Sequence, residues 1–93
     1  MEEEIKTVLD YCISTTTETQ IDYLSLGKIT FTLIARFNKK SLLYAHINRT
    51  WLKTWFNIAE TLGFGKYDPL KQQFILNKDN DFIALTLVKY KKR

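Results

Sequence analysis

The chain predicts an α+β fold, mainly helical, with one small antiparallel hairpin. Three stretches carry that expectation. Residues 48–64 place apolar side chains at helical spacing and close on a glycine. Residues 64–76 hold two short extended runs around a turn containing the only proline. Residues 2–14 carry a second apolar stripe at helical spacing.

Glu2 to Ser14 reads as a helix. Ile5, Val8, Leu9, Cys12 and Ile13 share one face. Glu2, Glu3 and Glu4 suit the positive end of the helix dipole. Thr15 to Thr19 breaks the pattern and reads as a loop. Leu24 to Phe37 fits two periods. Leu26, Ile29, Leu33 and Phe37 suit a helix. Ile29, Phe31, Leu33, Ala35 and Phe37 suit a strand, and the threonines and isoleucines favour extension. Asn38-Lys39-Lys40 is a polar break, and Ser41 is a candidate N-cap for a short helix, Leu42 to Ile47.

Asn48 or Thr50 is the expected cap of the next helix. Its core side is Leu52, Phe56, Ala59 and Leu62, and its opposite side is Arg49, Thr50, Lys53, Thr54 and Asn57. Trp51 and Trp55 are four apart and are expected to pack in the core or at an interface. Gly63 stops the helix, because glycine takes the left-handed closing conformation without steric cost. Phe64 to Tyr67 and Gln72 to Leu76 are extended, with Asp68-Pro69-Leu70-Lys71 turning between them. Asn77 is the expected cap of a last helix holding Phe82, Ile83, Leu87 and Tyr90, although Ala84 to Val88 also tolerates extension. Lys91-Lys92-Arg93 is expected to fray.

At 93 residues the chain forms one small domain, and 45% hydrophobic with 26% charged residues is ordinary globular composition. No apolar run reaches the length of a membrane span. The acidic start, Met-Glu-Glu-Glu, is unlike a secretory or transit peptide, so a cytoplasmic location is expected. Cys12 is the only cysteine, which excludes an intrachain disulfide and suits a buried small hydrophobe. His46 is the only histidine, so no metal site is expected. Gly27, Gly63 and Gly65 form no phosphate-binding loop, and no nucleophile–base pair is visible. Neither an enzyme nor a cofactor is therefore expected.

The net charge is +4, unevenly spread. Residues 1–38 carry three basic and six acidic side chains, whereas residues 39–93 carry eleven basic and four acidic. No acid occurs between Asp22 and Glu60, a span that holds Lys39, Lys40, Arg49 and Lys53. Such a stretch fits either a solvated basic surface or the footprint of a nucleic-acid partner.

From Leu24 onward the order is helix, short helix, amphipathic helix, glycine, hairpin, terminal element. That order resembles the winged helix-turn-helix of archaeal and bacterial transcription regulators. Asn48 to Gly63 looks like a recognition helix, and Gly65 to Leu76 looks like a wing. Phe74 to Phe82 is similar to the family's wing exit, with Asn77 in place of a threonine cap and Asn80 in place of a glycine. Among such proteins the chain most resembles the winged-helix centromere-binding proteins of archaeal plasmid partition systems.

The resemblance implies a winged helix-turn-helix at residues 24–76, an N-terminal dimerisation helix at 1–17 and a C-terminal element at 77–93. It implies a homodimer on double-stranded DNA, acting as a transcription regulator or as a partition adaptor with a second partition or regulatory protein, and no membrane. Asn48, Arg49, Thr50, Lys53, Thr54 and Asn57 would face the major groove. Lys40 and Ser41 would meet phosphate at the preceding helix start. Lys66, Lys71 and Gln72 on the wing would meet the adjacent backbone or minor groove. Ile5, Val8, Leu9 and Cys12, with Leu87 and Tyr90, would form the dimer contact.

Two other readings fit the residues. In one, Lys28–Phe37 and Ser41–Ile47 form a strand hairpin, and the C-terminal segment is a further strand. That arrangement suits a small viral α+β protein that inhibits a host defence complex. In the other, Trp51 and Trp55 stack on the bases of a single strand.

Overall fold

The structure, a computed structural model, describes residues 2–16, 20–38 and 49–90. Lys40, Ser41, the expected short helix at 42–47 with His46, the expected cap Asn48 and the tail 91–93 lie outside the described residues. Within them the chain is a compact α+β fold, mostly helical, with four α-helices and one three-stranded antiparallel sheet.

Helix α1 (Glu2–Ser14) begins with Glu2, Glu3 and Glu4 in its first turn. Ile5, Val8, Leu9, Cys12 and Ile13 have no exposed surface. They are buried inside this one chain, where α1 packs against α2, α3 and α4. Of the expected dimer contact, Ile5, Val8, Leu9 and Cys12 are thus already covered by the chain's own core. Leu87 and Tyr90 are half-buried against the same core. The Tyr90 hydroxyl donates to Asp10 Oδ1 at 2.6 Å.

Strand β1 (Tyr23–Ser25) corrects the expectation of a two-stranded sheet. It pairs with the second hairpin strand in the register Tyr23–Ile75, Leu24–Phe74 and Ser25–Gln73. Only Leu24 of the three is buried. Three residues are too few to show a period in sequence, and the strand is defined by the ladder it joins.

Helix α2 (Leu26–Leu33) follows at once and widens into a π-helical segment, Ile34–Asn38. Ser25 caps it, its hydroxyl accepting from the Lys28 N–H at 3.2 Å. Ile29, Thr32 and Leu33 are buried. The strand assignment for Lys28–Phe37, and the hairpin built on it, is therefore not adopted. The cap and the burial of one helical face outweigh the extended preference of Ile and Thr. Thr32 Oγ1 donates to the Lys28 carbonyl at 2.8 Å and accepts from Cys12 Sγ at 3.3 Å.

Helix α3 (Arg49–Thr61) contains Thr50 rather than being capped by it. It ends as expected at Gly63, whose φ is +83°. The Gly63 N–H donates to Glu60 O at 2.9 Å and the Phe64 N–H to Ala59 O at 3.1 Å, a Schellman closure. Strands β2 (Gly65–Asp68) and β3 (Gln73–Leu76) then form the expected hairpin. The sheet order is β1-β3-β2, with β3 central.

Helix α4 (Asp81–Lys89) resolves the C-terminal ambiguity in favour of helix. Its cap is Asn80, not Asn77: the Asn80 side chain accepts from the Ile83 N–H at 3.1 Å. Asn80 is extended, with φ −75° and ψ 132°, rather than left-handed as a glycine substitute would be. Asn77 instead stabilises the preceding turn, accepting from the Asp79 N–H and donating to Gly63 O at 3.0 Å. No helix of the described residues is long and apolar enough to cross a membrane.

Two positions are tightly constrained. A Cβ on Gly65 would lie 2.3 Å from the Ile75 carbonyl oxygen and 2.7 Å from the Phe74 ring. The backbone oxygen cannot retreat without breaking the ladder. Gly65→Ala is expected to lower unfolding free energy by about 1–3 kcal/mol, read from denaturant midpoints. At the other, burial pushes the Cys12 thiol pKa up. Cys12 is expected to react with an aromatic disulfide reagent only at the rate of unfolding, and rapidly once denaturant is added.

Candidate nucleic-acid interface

Helix α3 divides cleanly. Trp55, Phe56 and Ala59 are buried, and Trp51, Leu52, Ile58 and Leu62 pack partly against the core. Arg49, Thr50, Lys53, Thr54 and Asn57 are all exposed. The structure therefore brings these five side chains together on one helix face. Arg49, Lys53 and Asn57 form one ridge at i, i+4, i+8, with Thr50 and Thr54 beside it. Thr54 Oγ1 donates back to the Thr50 carbonyl at 3.1 Å, which fixes its rotamer and leaves its oxygen able to accept.

The adjoining ridge, Leu52–Phe56–Glu60, meets the hairpin. The Phe56 ring stacks on Tyr67 with centroids 4.0 Å apart and planes 9° from parallel. The Tyr67 N–H donates to Glu60 Oε1 at 2.7 Å. Phe56 also meets Trp55 edge-on at 5.2 Å and Phe74 at 5.9 Å. These contacts set the hairpin at a fixed angle to the exposed ridge. Neither Phe56 nor Glu60 stands out in sequence for this role, since both also satisfy the ordinary helical pattern.

Lys66, Lys71 and Gln72 are exposed but do not form one cluster. Lys66 is on β2, opposite Ile75 and in the same row as Tyr23, on the sheet face away from the core. Lys71 and Gln72 are in the turn at the hairpin tip. Trp55 is 1% exposed, which rules out base stacking by that ring. Trp51 is half-buried against the core.

Charge pairing leaves out α3 and the hairpin strands. Among the described residues, the ion pairs are Lys6–Glu2 at 3.4 Å, Lys89–Asp10 at 3.6 Å and Lys78–Asp22. Arg36 lies over the Tyr11 ring at 4.9 Å. None of these involves α3 or the hairpin, so Arg49, Lys53, Lys66 and Lys71 make no ion pair there. A groove of about 420 Å³ lies between α1, the π-helical segment and α4 with the Tyr90 that follows it. Asp10, Tyr11, Arg36 and Tyr90 line it; Asp10 is engaged by the Tyr90 hydroxyl and Lys89, and the Arg36 guanidinium covers the Tyr11 ring.

Comparison with protein-family models, with curated proteins and with solved structures finds no match for the chain.

Because Arg49 and Lys53 are exposed and make no ion pair among the described residues, Arg49→Ala and Lys53→Ala are expected to change unfolding free energy by no more than about 0.5 kcal/mol. Phe56→Ala, by contrast, is expected to cost about 3–5 kcal/mol and to loosen the hairpin. Chemical denaturation of the three variants checks both.

Proposed function

We propose that the chain binds double-stranded DNA at specific sites, with α3 in the major groove and the hairpin against the neighbouring backbone. The observation that carries this reading is the exposed ridge of Arg49, Lys53 and Asn57, without an ion pair among the described residues and joined through Phe56 and Glu60 to a hairpin that carries Lys66 and Lys71. Cations clustered along one helix face are the electrostatic footprint of a nucleic-acid partner. The element order supports the same reading. Helices α2 and α3, then β2 and β3, with β1 completing the sheet, follow the order of a winged helix-turn-helix.

In this reading Arg49 pairs with guanine or holds a phosphate, and Asn57 pairs with adenine. Thr50 and Thr54 meet phosphate or a thymine methyl, and Lys53 holds phosphate. The biological role is that of a transcription regulator or a plasmid partition adaptor, both of which use the same contacts. A homodimer would need a surface other than the buried α1 stripe. On α4, Leu85 and Val88 are each 71% exposed.

The test is an electrophoretic mobility shift with DNA from just upstream of the chain's own gene, at two salt concentrations. A discrete shift that survives nonspecific competitor is expected. Lys53→Ala should weaken binding to all sequences and lower the salt slope by about 1, and Arg49→Ala should weaken binding with the fold intact. Absence of a specific shift, or unchanged affinity in both variants, would overturn the assignment of α3 as the reading helix.

A further inference from the structure

We propose that Leu70 is an apolar wedge, carried on the hairpin tip, that enters the DNA minor groove and partly unstacks one base step. This rests on the DNA-binding reading above. Leu70 is 95% exposed, more than any other large hydrophobic side chain among the described residues. Its position is held by the turn rather than by its own contacts. Pro69 restricts the backbone on one side. The Asp68 carboxylate accepts from the Leu70 N–H at 3.0 Å and the Lys71 N–H at 3.2 Å. Gln72 takes a left-handed conformation, with φ +53°, and its carbonyl accepts from the Leu26 N–H at 2.8 Å. The tip is thereby tied to the start of α2, and the leucine is presented to solvent at a defined place.

The surroundings select the occupant. Lys71 and Gln72 follow Leu70 in the turn, and both are exposed. A cation and an amide beside a single apolar side chain is the combination that holds phosphate and base edge while a wedge enters between bases. One isolated leucine offers too little apolar area for a membrane anchor. Asp68, the acid nearest the tip, uses its carboxylate on backbone N–H groups of the turn.

The experiment uses the duplex that shifts in the mobility assay, with 2-aminopurine placed in turn at each step flanking the α3 site. The wild-type chain should raise fluorescence at one step, and bending read by circular permutation of the site should centre there. Leu70→Ala should abolish the rise and the bend and weaken binding about tenfold, with an unchanged salt slope because the phosphate contacts remain. Leu70→Met should restore the signal. If Leu70→Ala binds, brightens and bends as the wild type does, the wedge is overturned while DNA binding stands. A changed salt slope would also overturn it, since Leu70 would then act by placing the lysines. If the wild-type chain shifts the duplex but brightens no step, the wedge is overturned while DNA binding stands.

Discussion

The stacking of Phe56 on Tyr67, locked by the Glu60 carboxylate on the Tyr67 N–H, is the contact on which the arrangement depends. It joins a helix to a hairpin at one fixed angle. An aromatic stack alone would tolerate sliding, because its attraction varies slowly with offset. The hydrogen bond removes that freedom by requiring a backbone donor and a helix side chain to meet at 2.7 Å. Gly65 then lets β2 approach the Phe74 ring closely enough for the sheet to close beneath the stack. Phe74, with no exposed surface, lies under both Trp55 and Phe56 and forms the floor of the cluster.

The charge distribution follows from this frame. On the side of α1 and α4, basic side chains meet acids or aromatic rings of the same chain. On α3 and the hairpin they meet none among the described residues. The two sides share one core, so the exposed cations of α3 cost the fold little. Screening in ordinary salt would blunt any repulsion among them.

Much of the element order was legible in the residues. The α1 stripe, the α3 stripe with its Gly63 stop, and the hairpin around Pro69 each carry a strong local period or a turn residue with a specific backbone role. Three features were not legible in this way. Strand β1 is three residues long and exists through its pairing with β3. Lys28–Phe37 satisfied two periods at once, and burial against α1 decided between them. Asn77 and Asn80 are chemically equivalent caps, and the choice between them was made by Asn77 reaching Gly63 across the end of α3.

The sequence by itself determined which faces of the helices are apolar, where α3 stops, and that Arg49, Thr50, Lys53, Thr54 and Asn57 lie together. All of these follow from helical spacing and the chemistry of single residues. The tertiary structure alone decided what covers the α1 stripe, since Ile5, Val8, Leu9 and Cys12 suit a partner subunit or an intrachain core equally well until α2, α3 and α4 are placed. It also decided that Leu70 projects into solvent. A leucine in a turn folds inward or outward according to contacts made by Asp68, Gln72 and Leu26, which lie outside any local pattern.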